Sequence, residues 1–90
     1  MAALPTRHWQ ELPWPAFKTL PANTVAVLPV ASIEQHGPHL PVSVDTTINQ
    51  GVVARTLKVI APDLPVLVLP TQSVGCSVEH LRFPGTVTTT

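Results

Sequence analysis

The sequence predicts an α/β fold centred on one βαβ unit over residues 24–70. Three observations carry that expectation. Two short apolar runs, 25–30 and 66–69, lack polar alternation; a segment of helical periodicity lies between them; and eleven prolines against four glycines are too many for a helical bundle. Unalternating apolar runs mark strands covered on both faces, the condition of a parallel sheet. Parallel pairing needs a crossover, and the periodic segment supplies it, in the right-handed sense such connections take.

Residues 1–23 read as an irregular lead-in. Pro13 and Pro15 set up one short helical turn that would turn Trp14, Phe17 and Leu20 inward. The first strand spans 24–31, with Pro29 near its end or edge because proline donates no ladder hydrogen bond. Gly37, Pro38 and Pro41 then forbid a regular element over 32–44. From Asp45 to about Ala61, Ile48, Val52, Val53, Leu57 and Ile60 recur at helical spacing, Asp45 suits the N-cap, and Pro62 stops the run. A second strand follows over 65–70, and residues 71–86 form another loop. Both loops leave the carboxyl ends of strands, where function collects in open α/β sheets, so they should share one rim.

Composition narrows the classes of function. With 44% hydrophobic residues and mean hydropathy of +0.29, the chain is not disordered throughout. Five Lys+Arg balance five Asp+Glu, so neither nucleic acid nor an anionic membrane surface is an expected partner. One cysteine, Cys76, excludes an intramolecular disulfide framework and a cysteine-based zinc site. Together with the charges and prolines that interrupt the first 30 residues, it places the expected location in the cytoplasm. As a nucleophile Cys76 is unpersuasive, since no cationic partner is evident to lower its pKa. Ninety residues are few for an α/β domain, whose βαβ units take about 30 residues each.

The first loop concentrates metal-ligand types. Glu34 and His36 stand at i and i+2, which puts both side chains on one side of an extended backbone, and Asp45 follows at the helix start. Two carboxylates and an imidazole suit zinc or manganese, and a carboxylate at a helix N-terminus can bridge two ions. The plainer readings stay open on these residues alone: Asp45 as an ordinary N-cap, Glu34 and His36 as a hydrogen-bonded pair, Glu79 and His80 as solvated groups.

The stretch from Leu28 to Pro41, Leu-Pro-Val-Ala-Ser-Ile-Glu-Gln-His-Gly-Pro-His-Leu-Pro, followed by Asp45-Thr46, resembles the signature of the creatininase (creatinine amidohydrolase) family. A second block, Gly75-Cys76-Ser77-Val78-Glu79-His80 with Phe83-Pro84-Gly85-Thr86, resembles that family's Gly-x-Ser-x-Glu-His and Phe-Pro-Gly-Thr. Ala31 departs from the glycine many members carry. The resemblance implies a three-layer α/β/α sandwich with a mostly parallel sheet, of which residues 1–90 are the N-terminal part and supply the first βαβ unit. It also implies a binuclear zinc or manganese site held in part by Glu34, His36 and Asp45, with Asp45 as the bridge. His39, Ser77, Glu79 and His80 would contact substrate or support the ligands. Members are typically hexamers. The implied reaction is hydrolysis of a non-peptide or cyclic amide C–N bond, as in creatinine or a formamide, by metal-bound hydroxide, while still other members act on a peptide tail. The family's further ligands and pocket blocks lie downstream of the motifs present here. The 90 residues alone are therefore expected to be inactive, and the alternative is a non-catalytic fragment that binds metal weakly or only serves subunit assembly.

Overall fold

Val25–Val27 and Val66–Val68 form strands β1 and β2 of a two-stranded parallel sheet in a computed structural model that describes residues 4–90. The first three residues of the expected lead-in lie outside it. Val25 pairs with Val66, Ala26 with Leu67 and Val27 with Val68. Both strands are shorter than their apolar runs because prolines bracket the ladder. Past Leu28 the pairing resumes as a parallel bridge between Val30 and Gln72, where Gln72 N–H donates to Pro29 O at 2.9 Å and Ala31 N–H to Gln72 O at 2.8 Å. Pro29 contributes only its carbonyl there, which is the part of a ladder bond it can make.

The crossover is helix α1, Val44–Val59. Its C-terminal end falls at Ile60, two residues before Pro62, as the breaker predicts. Its start corrects the expected cap. Ser43, not Asp45, occupies the N-cap position and makes no side-chain capping bond; Asp45 lies within the first turn, where a carboxylate still complements the helix dipole. The expected inward face is realised in part: Val53, Leu57 and Ile60 are half-buried, while Ile48 and Val52 are mostly exposed. An apolar cleft of about 320 Å³ lies between α1 and the sheet, lined among others by Val27, Val53, Leu57, Val66 and Val68.

The hydrophobic core is correspondingly small. Leu67 on β2 is fully buried and Val68 nearly so, whereas every residue of β1 is exposed, Val25 at 54%. A radius of gyration of 16.4 Å exceeds the roughly 12 Å of a closed globule of this length. The unalternating pattern of β1 thus specifies a covered strand, and the residues described here do not supply the cover.

The lead-in is better tied down than an irregular segment would be. Its turns are 3-10 helices at Trp9–Glu11 and Trp14–Thr19, and Phe17 packs on Trp9 with ring centroids 4.5 Å apart. Trp14 does not face inward as expected. It is 71% exposed with the Lys18 ammonium 4.8 Å over its ring, and Phe17 is the residue of this turn that packs on Trp9. Val68 N–H donates to Arg7 O at 2.7 Å, so the segment extends the sheet beyond β2.

The Arg7 guanidinium gathers the carbonyls between α1 and β2. It donates to Leu64 O, to Ala61 O at 2.9 Å, to Val66 O at 3.1 Å and to Pro62 O at 3.3 Å. Ala61 O and Leu64 O each accept one backbone N–H within the turn, from Leu64 and Val66, and the five-donor fork adds a second bond to both while reaching Pro62 O and Val66 O as well. Arg7→Ala should therefore lower unfolding stability by about 1–2 kcal/mol, toward the low end for charged hydrogen bonds because the fork is partly exposed. Urea denaturation showing no change would remove Arg7 from this role.

Candidate metal centre

The loop after β1 doubles back on itself. Glu34 N–H donates to Val42 O at 3.3 Å, and His36 and Leu40 form an antiparallel bridge. Gly37 makes the reversal at φ +79°, a conformation glycine adopts without steric cost. The loop brings Glu34 and His36 together, and the first turn of α1 brings up Asp45. One ligand atom from each of Glu34, His36 and Asp45 lies within 4.8 Å of the others.

Hydrogen bonds orient this group. His36 Nδ1 lies 2.9 Å from Glu34 O, and since a carbonyl only accepts, Nδ1 is the protonated nitrogen. Nε2 is left facing Asp45 Oδ1 at 3.3 Å. The other carboxylate oxygen, Asp45 Oδ2, accepts from Ser32 Oγ at 2.6 Å. Glu34, His36 and Asp45 are all half-buried. The backbone carbonyl of Glu34, and after it the Asp45 carboxylate, holds the His36 pKa above the ordinary imidazole value. The Ser32 hydroxyl, and after it His36, holds the Asp45 pKa below the usual carboxylate range.

The two shifts act on stability at opposite ends of the pH range. The raised His36 pKa contributes stability that is present below the ordinary imidazole value and lost as pH rises through the folded value. The lowered Asp45 pKa contributes stability present above the ordinary carboxylate value and lost as pH falls through the folded value. The pair is thus ionised together between those limits. An NMR titration should find the His36 ring titrating above the ordinary value, and Asp45→Asn should return it only partway, because the Glu34 carbonyl remains. Full return to the ordinary value would contradict that order of causes.

The second loop meets the first at several points. Val87 N–H donates to Ile33 O at 2.9 Å, and Gln35 N–H to Thr86 Oγ1 at 3.3 Å. A Cβ on Gly75 would stand 2.9 Å from Ala31 O, so glycine is what lets the two backbones approach. The 3-10 turn Val78–His80 then places Glu79 and His80 beside Glu34, and these three form a second group with ligand atoms within 4.8 Å. His80 Nε2 is 3.7 Å from Glu34 Oε1 and 3.7 Å from Glu79 Oε1. The expected shared rim is therefore present.

Ser77 is fully buried and its hydroxyl has no hydrogen-bond partner among the described residues, while its N–H donates to Thr88 Oγ1 at 2.7 Å. Cys76 is exposed. His39 is exposed and stands outside both donor groups. Sequence reasoning missed Ser32, Gln35 and Thr86 as parts of the site. All three sit inside the quoted motifs, yet their roles arise from partners 13 to 51 residues away.

The donor set fits a divalent ion of the zinc or manganese kind: one imidazole whose proton is held on the far nitrogen, and two carboxylates, of which Asp45 is biased toward its ionised form. Among the described residues no helix is long and apolar enough to cross a membrane.

Fold and rim together define an α/β protein with a candidate metal centre at the carboxyl edge of a parallel βαβ unit. The profile of the creatininase family, creatinine amidohydrolase, matches residues 10–90, and the chain belongs to that family. A mycofactocin precursor peptide peptidase of Mycobacterium tuberculosis is 47% identical over 68 residues, covering 68% of this chain and 27% of the relative. Its namesake in Mycolicibacterium smegmatis is 45% identical over 65 residues, covering 70% and 26%. One from Mycobacterium ulcerans is 38% identical over 74 residues, covering 76% and 30%. The chain thus spans less than a third of the length of these relatives. No solved structure matches it.

Proposed function

We propose that residues 1–90 carry one part of a metal-dependent amidohydrolase centre, with Glu34, His36 and Asp45 as ligands to zinc or manganese. The observation that supports this most directly is the convergence of those three donors within 4.8 Å, with His36 turned by the carbonyl of its own neighbour Glu34. A divalent ion held there would supply Lewis acidity toward an amide carbonyl and lower the pKa of a coordinated water. The chain's own residues do the positioning. Ser32 holds Asp45 Oδ2 and so aims Oδ1 at His36 Nε2, the side on which the three donors converge. Ser77, buried with an unengaged hydroxyl, has hydrogen-bonding capacity to offer a substrate amide or a ligand's outer oxygen.

For the bond cleaved, the peptidase names of the relatives favour an amide within a precursor peptide, over the cyclic or non-peptide amide expected from the motif alone. A second reading, in which the segment serves assembly only, draws on the exposed apolar residues of β1. In a full-length protein carrying these residues, metal analysis and a substrate panel separate them. Bound zinc or manganese with cleavage of peptide amides supports the first reading, and creatinine or formamide turnover replaces only its substrate. A metal-free protein that oligomerises without hydrolysing any amide supports the second.

A further inference from the structure

The two donor groups share Glu34, and hydrogen bonds set their imidazoles to opposite tasks. At His36 the proton sits on Nδ1, so the neutral ring offers a lone pair at Nε2, the atom nearest Asp45. At His80 the arrangement is reversed, and Gln35 reverses it. Gln35 Oε1 accepts the Gly37 N–H at 3.0 Å, which decides the orientation of the amide, since rotating it would set NH₂ against N–H. Gln35 Nε2 therefore faces His80 Nδ1, at 3.1 Å. An amide NH₂ only donates, so Nδ1 accepts, and the neutral His80 ring carries its proton on Nε2. That is the nitrogen directed at the Glu34 and Glu79 carboxylates, 3.7 Å from each.

We propose that Gln35 is a positioning residue that selects which of the two groups takes metal: it fixes His80 as an N–H donor toward Glu34 and so withholds the Glu34, Glu79 and His80 group from a cation. A ligating imidazole must present a lone pair to the ion. In His80 the Nδ1 lone pair is engaged by Gln35, and Nε2 bears hydrogen on the side of the carboxylates. Binding there would require a proton on Nδ1, against the Gln35 NH₂. The Glu34 carboxylate, attracted from one side by the His80 N–H, is left to serve His36 and Asp45. The inference rests on the reading of Glu34, His36 and Asp45 as the metal group.

The test begins with the unaltered chain, labelled with nitrogen-15 in its histidines, free of metal and above the imidazole titration range. Long-range nitrogen–proton couplings report which ring nitrogen bears hydrogen. His36 should be protonated on Nδ1 and His80 on Nε2; a His80 proton on Nδ1 overturns the proposal. Zinc should then move the His36 ring signals and leave the Nε2 proton of His80 in place. Displacement of that proton also overturns it, whereas an unmoved His36 with His80 as described would count against the metal reading alone. Gln35→Glu keeps an acceptor for Gly37 but now accepts from His80 Nδ1. That variant should switch the His80 tautomer and bind about one zinc more than the unaltered chain, a gain lost in Gln35→Glu/His80→Asn. A switched tautomer with no added zinc overturns the selection. Should the variant fail to fold, the measurements on the unaltered chain decide.

Discussion

Asp45→Ala is expected to empty the metal centre of a full-length protein that carries this segment, with a loss of affinity beyond the roughly 10–100-fold that removing an outer hydrogen-bonding partner costs. The reason is geometric. Asp45 is not the cap of α1, a role whose loss would cost about 1 kcal/mol and leave metal binding intact. Its two oxygens are turned elsewhere, one to Ser32 at 2.6 Å and one toward His36 at 3.3 Å. Removing the carboxylate would take a donor from the group and leave His36 without the charge beside it. Ser32→Ala should have the smaller, outer-partner effect, since it loosens the carboxylate without deleting it. Elemental analysis that found undiminished zinc or manganese after Asp45→Ala would remove Asp45 from the ligand set, and equal losses for the two variants would reduce it to a positioning role.

The second large effect is an absence of turnover. The 90 residues tested alone, with zinc or manganese added, should hydrolyse neither creatinine, nor simple formamides, nor peptide amides above background. Three protein donors and one open position can complete a single catalytic zinc site, but a pair of ions about 3.5–4 Å apart needs more donors than Glu34, His36 and Asp45 provide. His80 does not make up the deficit while Gln35 holds its Nδ1. Solvent also reaches the group, with the His36 side chain 25% and the Asp45 side chain 37% exposed, so the electrostatic advantage of a dry site is reduced. The exposed face of β1 and the exposed Ile48, Val52 and Val59 of α1 should make the same preparation prone to self-association. Metal-dependent turnover that vanished in Glu34→Ala would show that the three donors suffice and that this account of the shortfall is wrong.

What could be read from residue order was whatever depends on neighbours. The apolar runs located β1 and β2, the prolines ended them, periodicity and Pro62 bounded α1 to within two residues, and the βαβ order alone put both loops on one rim. The types and spacing of Glu34 and His36, with Asp45 at the helix start, made them candidate donors, and the resemblance of the two motif blocks joined the three into one group. Tertiary structure decided the remainder. That Asp45 faces Ser32 and His36 rather than capping α1, that Arg7 closes the turn between α1 and β2, that Trp14 lies outward, and that Gln35 turns His80 into a donor depend on pairs such as 7 with 61–66 and 35 with 80. Such pairs are made by the path of the chain, and no local preference of either residue encodes them. A side chain's proton position is set by the partners that the fold brings to it, which is why the candidate donor types were legible in the sequence and the hydrogen-bond partners of the two imidazoles were not.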